Sequence, residues 1–255
     1  MDVEQMLEPW GLDVVEVAEV GHTPRASLAW WVSAPTGSYV AKLTFDRRPF
    51  VEPGLAIAEL VAMRGVVTGR PVRTARGDLC STAAVDGNDW TMALLARVRG
   101  AALQPARADA DVIAGSLLGR VHAALADVPR QAVPANLLDW SAQFAADTSN
   151  ASAARVVEEI AARGGDLSWS IVYGDPSPEI LSSEEGPALI DWGTPSWGPR
   201  LHDVAAWLRW LGETPGAGSA RERCFLTAYE AAVPLTDVDR SSVELFGRYG
   251  AAFGF

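Results

Sequence analysis

Lysine is nearly absent from this chain. Of its 21 basic residues, Lys42 alone is lysine and the other 20 are arginine. The two exchange freely on a solvated surface, but not where a compact point charge or a titratable amine is required. Lys42 lies in mid-strand, in Ser38-Tyr39-Val40-Ala41-Lys42-Leu43-Thr44-Phe45. It reads either as a position arginine cannot fill, such as a phosphate contact, or as the remnant of an arginine-rich composition. Cysteine is scarce as well. Cys80 and Cys224, the only two, form neither a disulfide framework nor a zinc pattern. No apolar run approaches the ~18 residues of a membrane span. The start, Met1-Asp2-Val3-Glu4, has no basic stretch leading into an apolar one, so no secretory signal is expected. The expectation is a cytoplasmic protein with reduced thiols and no membrane partner. Positive charge is in deficit: a net charge of −11 argues against nucleic acid as a ligand and is compatible with a cationic substrate.

Apolar residues, by contrast, are plentiful. A hydrophobic fraction of 49% and 10 tryptophans supply an ample core, and 255 residues suffice for one large domain or two lobes. Residues 13–98 read mostly as strands and turns. A β-rich run at 14–20 leads into the loop Gly21-His22-Thr23-Pro24-Arg25. A second strand, 28–33, turns at Pro35-Thr36-Gly37 into the Lys42 strand. Alternation puts Tyr39, Ala41, Leu43 and Phe45 on one face and Val40, Lys42 and Thr44 on the other. Glu52-Pro53 predicts the start of a helix that runs to Met63 or Arg64 and stops at Gly65. Strands at 82–85 and 90–98 flank the turn Asp86-Gly87-Asn88-Asp89, and Gly100 breaks the pattern.

Beyond Gly100 the chain becomes helical. Ile113, Leu117, Val121 and Leu125 recur at a spacing of four. Val156, Val157 and Ile160 mark another helix, ended by Gly164-Gly165. A β patch follows at 169–173, then 181–183 and 188–190 around Glu184-Glu185-Gly186, and helical segments with Pro and Gly breaks resume at Leu201. The prediction is an α+β fold of two lobes, a small antiparallel β-rich lobe over 1–98 and a larger, mainly helical lobe over 99–255, with a hinge near 97–102. No internal repeat is evident.

Two carboxylates stand out. Asp175 follows the strand ending in Val172-Tyr173, and Asp191 ends the hairpin that comes next. Each alone reads as a turn residue, a common place for Asp. Together, at the ends of two β elements joined by a turn, they can converge. Phosphoryl transfer uses such an arrangement: one carboxylate orients and deprotonates a hydroxyl, another holds a metal against the phosphates, and a lysine steadies phosphate oxygens.

With these residues in view, the chain resembles the aminoglycoside phosphotransferase and choline kinase family, a branch of the protein-kinase-like fold. The resemblance spans roughly residues 13–212. It is strongest over 171–208, through Ile171-Val172-Tyr173-Gly174-Asp175-Pro176, Ile190-Asp191-Trp192-Gly193 and His202-Asp203-Val204-Ala205. It implies a two-lobed kinase-like fold: residues 1–98 as a nucleotide-binding lobe and 99–255 as a catalytic and acceptor-binding lobe. It implies ATP and Mg2+ as cofactors, with the γ-phosphate passing to a hydroxyl of a small molecule of antibiotic, sugar or amino-alcohol type.

By the resemblance, Lys42 contacts the α/β-phosphates and Glu59, in preference to Glu52, pairs with it from the helix. The loop at Gly21 covers the phosphates. The strand 94–98, with Leu95, Ala96 and Val98, lies beside adenine. Asp175 is the catalytic base, Asp191 binds Mg2+, and Asp203 holds the catalytic loop or caps its helix.

Two residues depart from the family pattern. Tyr173 stands where the family has a loop-supporting His, and its hydroxyl can do similar work. Ile180 stands where the family has an Asn that binds metal, and isoleucine has no donor atom. Mg2+ demands oxygen ligands, so Glu179, next to the gap, is the expected substitute. The resemblance leaves the acceptor open to Ser or Thr of a peptide in natural-product biosynthesis, since some relatives of the family act there, and the two departures keep open a pseudokinase scaffold that binds nucleotide, peptide or a protein partner without transfer. His122 reads as a packed or capping residue. His22, His202 and the cysteines have no assigned role, and Trp192, Trp197, Trp207 and Trp210 read mostly as core or pocket wall.

Overall fold

The computed structural model describes residues 1–20 and 27–255. The chain divides into two compact units, Met1–Arg99 and Gly100–Phe255. The first contains α1 (Val3–Leu7), β1 (Glu16–Glu19), β2 (Ser27–Ala34), β3 (Gly37–Thr44), α2 (Arg48–Met63), β4 (Ser81–Val85) and β5 (Asn88–Ala96). The strands form one antiparallel sheet in the order β1-β2-β3-β5-β4. The alternation in β3 is as predicted. Ala41 and Leu43 are fully buried and pack with Val32, Met92 and Leu94 against Leu7 and Trp10. The opposite face carries Lys42. On that side Ala93 of β5 packs with Leu55 of α2, Leu79 and Cys80.

Three boundaries in this unit differ from the sequence reading. Helix α2 starts at Arg48, not at Glu52, and Pro53 lies inside it. The earlier turn is held by Arg48, which bonds Glu52 one turn on through two nitrogens (3.0 and 3.1 Å) and Asp78 at 2.8 Å. Pro53 is the sixth residue of the helix, so it forgoes one backbone bond, to the Pro49 carbonyl, within the second turn. The β4–β5 turn is Asp86-Gly87 alone. Both residues have positive φ, 50° and 80°, the geometry of a two-residue hairpin, so Asn88 and Asp89 belong to the strand. Strand β5 ends at Ala96, so Val98 lies beyond it.

The second unit contains β6 (Gly100–Ala102), α3 (Ala110–Ala124), α4 (Leu137–Asp147), α5 (Ala151–Arg163), β7 (Trp169–Val172), β8 (Glu179–Ser183), β9 (Gly186–Ile190), β10 (Ser196–Pro199), α6 (Leu201–Trp210), α7 (Ala220–Glu230) and α8 (Asp237–Phe253). Its strands form a three-stranded sheet, β6-β8-β9, and a two-stranded one, β10-β7. The expected hinge segment therefore contains a strand. Gly100 is opposite Ser183 in that ladder, and a Cβ there would lie 2.5 Å from the Ser182 carbonyl oxygen. Helix α4 escaped the sequence reading. Its buried face is Leu137, Leu138, Ser141 and Ala145, while Trp140 and Phe144 point outward, so apolar residues on both sides blur the period.

Two glycines set the closest helix contact of this unit. Cβ atoms at Gly115 and Gly119 of α3 would lie 2.3 and 2.6 Å from the carbonyl oxygens of Phe225 and Tyr229 in α7. The α+β class, β-rich first and helical second, is the one predicted. Among the described residues no helix is long and apolar enough to cross a membrane.

Candidate active site

In the first unit, the sheet register sets what surrounds Lys42. Its neighbours across β3 are Ala29 on β2 and Ala93 on β5. Directly opposed residues share a face, so the lysine stem rises between two methyl groups, both buried. The α2 side of the sheet is the same side, because Ala93 packs with Leu55. Glu59 of α2 has a defined partner: Arg73 bonds both its oxygens, Nε to Oε1 at 2.9 Å and Nη2 to Oε2 at 2.5 Å. The role expected of Glu59 beside Lys42 therefore has a rival cation in Arg73. Glu52 is similarly engaged by Arg48.

Leu95 and Ala96 are half-buried in β5. The Ala96 N–H donates to the Arg70 carbonyl (2.8 Å) and the next, Arg97 N–H, to that of Ser38 (3.0 Å). The expected phosphate-covering Gly21 lies outside the described residues. Burial pushes the Cys80 thiol up to about 11, which keeps it protonated and unreactive.

In the second unit, the segment after β7 is fixed by one side chain. Asp203, fully buried in the first turn of α6, accepts the N–H groups of Tyr173 (2.6 Å, Oδ2) and Gly174 (3.0 Å, Oδ1). Two imidazoles complete its shell, His122 Nε2 at 3.0 Å and His202 Nδ1 at 3.1 Å. The bonding pattern makes both nitrogens donors, and His122 Nδ1 then accepts from the Tyr229 hydroxyl at 2.8 Å. Burial works to raise the Asp203 pKa, but the hydrogen bonds from His122 and His202 overcome it and hold the carboxyl well below the usual range. Asp203 thus stays an acceptor for all four donors.

The loop so held has little freedom. Gly174 has φ 82°, and a Cβ there would meet the Thr194 carbonyl oxygen at 2.3 Å, so only glycine fits. Asp175 follows, half-exposed, its Oδ1 accepting the Ser177 N–H at 2.8 Å. Tyr173 then joins this loop to the next. Its ring is fully buried, and its hydroxyl donates to the carbonyl of Ile190 at 2.8 Å, the residue before Asp191. Asp191 is exposed with φ 62°, a left-handed conformation uncommon outside glycine and tolerated by Asp. Such strain is frequent at functional sites.

Glu179 and Ile180 are the first residues of β8 rather than loop residues. Alternation sends Ile180 into the core, 3% exposed, and leaves Glu179 exposed opposite Ile190. Burial raises the Tyr173 pKa well above its ordinary value, and the charges of Asp175, Asp191 and Glu179 add to that against a backbone hydrogen bond at Glu179. Among the described residues no group of three or more His, Cys, Asp or Glu side chains is spaced to hold a metal ion. Mg2+ needs fewer from the protein, commonly one or two carboxylates with water and phosphate oxygens completing the shell. Asp191 and Glu179, exposed oxygen donors at neighbouring strand ends, fit that requirement.

The sequence reading expected Asp175 and Asp191 at the ends of β elements, and they follow β7 and β9, with Glu179 opening β8. It missed the part played by His122 and His202. The available signal was a histidine on an otherwise apolar helix face and a second one beside Asp203. Neither carries a spacing that names its partner, which is 81 residues away in the case of His122.

Comparison with known proteins bears on family and fold. The sequence profile of the phosphotransferase enzyme family (APH) matches residues 22–235. No curated protein sequence matches the chain. Similar solved structures include an amicoumacin kinase in complex with AMP-PNP, Ca2+ and Ami, with 13% identity and TM-score 0.74 over 96% of this chain and 81% of that one. A microcompartment-associated aminopropanol kinase has 13% identity and TM-score 0.70 over 98% and 88%. An aminoglycoside phosphotransferase from Alicyclobacillus acidocaldarius has 16% identity and TM-score 0.63 over 98% and 83%. At these identities the likeness is one of fold.

Proposed function

We propose that this chain, which belongs to the phosphotransferase enzyme family, transfers the γ-phosphate of ATP to a hydroxyl of a small molecule. The observation that carries the reading is the Tyr173-Gly174-Asp175 segment, gripped by Asp203 at its backbone and tied by the Tyr173 hydroxyl to the strand that delivers Asp191. Asp175 is half-exposed at the end of that rigid segment, which suits a group that orients a hydroxyl and takes its proton. Asp191 and Glu179 would hold Mg2+. A bound Mg2+ supplies positive charge to the phosphate oxygens. Lys42, between Ala29 and Ala93, would contact the phosphates nearer the nucleoside, and Leu95, Ala96 and Val98 would flank adenine. Glu59 would orient Lys42 in competition with Arg73. The acceptor class follows neighbours that act on antibiotics and an amino alcohol.

The test is incubation with labelled ATP, Mg2+ and a panel of antibiotics, sugars, amino alcohols and Ser/Thr peptides, following the label. Transfer to a small hydroxyl acceptor is expected. Asp175→Ala is expected to lower turnover by about 10²–10⁴-fold with an unchanged circular dichroism spectrum. Wild-type turnover in that variant would remove Asp175 from the chemistry. A second reading is favoured by Ile180, whose side chain is core where the family pattern has a metal-binding Asn: a nucleotide-binding protein without transfer. No label transfer, together with intact Mg-ATP binding, would establish it.

A further inference from the structure

The first unit leaves one edge of its sheet open. Strand β4 is terminal in the order β1-β2-β3-β5-β4 and, among the described residues, pairs only with β5. The Asp86-Gly87 turn makes Val85 and Asn88 the hydrogen-bonded pair nearest it. Alternation from there turns Ser81, Ala83 and Val85 toward β5 and aims the backbone N–H and C=O of Thr82 and Ala84 outward. Natural edges are usually blunted by charge, proline or a bulge. The strand reads Ser-Thr-Ala-Ala-Val, with no charge and no proline, and its register with β5 is continuous.

A groove of about 1030 Å³ runs along this edge. Six consecutive residues, Ser81 to Asp86, line it. A strand face would contribute every second residue, so it is the open edge that faces the groove. The Ser81 hydroxyl, on the same wall, is buried without a hydrogen-bond partner. The lining carries the carboxylates of Asp2, Glu8, Asp78 and Asp86 against the guanidiniums of Arg48 and Arg76 and the Met1 amine. Arg48 and Asp78 pair with each other, which leaves Asp2, Glu8 and Asp86 in excess over Arg76 and the amine by one charge.

We propose that this groove binds an extended peptide with basic side chains, which adds to β4 as a further strand. Main-chain bonds to Thr82 and Ala84 would supply the pairing, and the groove carboxylates would select the charge. A five-residue strand offers a ladder about 17 Å long. A second copy of this chain is the poorer occupant. Pairing β4 with its own image would bring two acidic grooves together on molecules that each carry −11.

The probe is a capped heptapeptide alternating Lys and Val, titrated into the full-length chain without nucleotide and followed by amide NMR shifts. Shifts are expected at Thr82 and Ala84, with binding weakened as salt rises. The Ala84→Pro variant removes an outward donor that the β4–β5 ladder does not use, and edge strands tolerate proline. It is expected to keep its melting temperature and bind at least tenfold more weakly. Should that variant misfold, Glu8→Arg provides the same test: it is expected to weaken the Lys/Val peptide and favour a Glu/Val one. Absence of shifts at β4, equal binding of the Glu/Val peptide to the unmodified chain, or undiminished binding to Ala84→Pro would each overturn the proposal. Concentration-dependent self-association through β4 would overturn it too, by assigning the edge to a second copy. None of these readouts depends on phosphate transfer.

Discussion

At Asp203 burial opposes ionisation, and four donors reverse the outcome. The carboxylate is what makes the loop before Asp175 rigid, because an amide in its place must turn an NH2 group toward two of those donors. Asp203→Asn is expected to lower stability by about 3–5 kcal/mol, measured by urea unfolding at pH 7. The pH dependence has a defined sign. The folded-state pKa of Asp203 is depressed, so its contribution is complete above the unfolded value of about 4 and is lost as pH falls below it. The wild type should lose stability through that acid range, and the Asn variant should lack this part of the loss. Tyr173→Phe removes the donor to the Ile190 carbonyl and is expected to cost about 1–3 kcal/mol, read as a lower urea midpoint. Lys42 stood out in the sequence as the one lysine, set in mid-strand, and Asp175 and Asp191 stood out only as a pair at the ends of β elements. His122 was not, since its partners Tyr229 and Asp203 come from elements far along the chain.

Between elements, the α3–α7 contact reverses what local propensity predicts. Replacing a mid-helix glycine by alanine ordinarily stabilises a helix by about 1 kcal/mol. At Gly119 the new methyl would lie 2.6 Å from the Tyr229 carbonyl oxygen and 3.2 Å from the Ala232 Cβ. Backbone yields less readily than a flexible side chain, so Gly119→Ala is expected to destabilise by about 1–3 kcal/mol, seen as a lower melting temperature. Stabilisation would mean that α7 can move aside. Because Tyr229 bonds His122, displacement of α7 should also loosen the Asp203 shell. The α3 helix itself was readable from its stripe of Ile113, Leu117, Val121 and Leu125. The four-residue spacing of Gly115 and Gly119 was visible too, but nothing in it named α7. Helix α4 and the early start of α2 were hidden, the first by outward aromatics and the second by an ion pair to Asp78 in a later segment.

For the molecule as a whole, the proposed activity predicts coupling between ligand and stability. Mg-ATP at a hundred times its Kd should stabilise the chain by about 2.7 kcal/mol, a rise in melting temperature of about 5–10 °C for a chain of this size. Differential scanning fluorimetry checks it, and Lys42→Ala should lose most of the rise while keeping the unliganded melting temperature. The sequence alone determined the α+β class, the β-rich-then-helical order, the face of β3 that carries Lys42 and the two acids that end β elements. These follow from short-range periodicity and from residue chemistry, which a linear text records. Tertiary structure decided the rest. It put Asp203 on the loop amides, gave Tyr173 the Ile190 carbonyl as acceptor, sent Ile180 into the core while leaving Glu179 exposed, and gave Glu59 to Arg73. Each of these is a pairing between distant positions, fixed by which side chains packing buries together, and no local pattern encodes it.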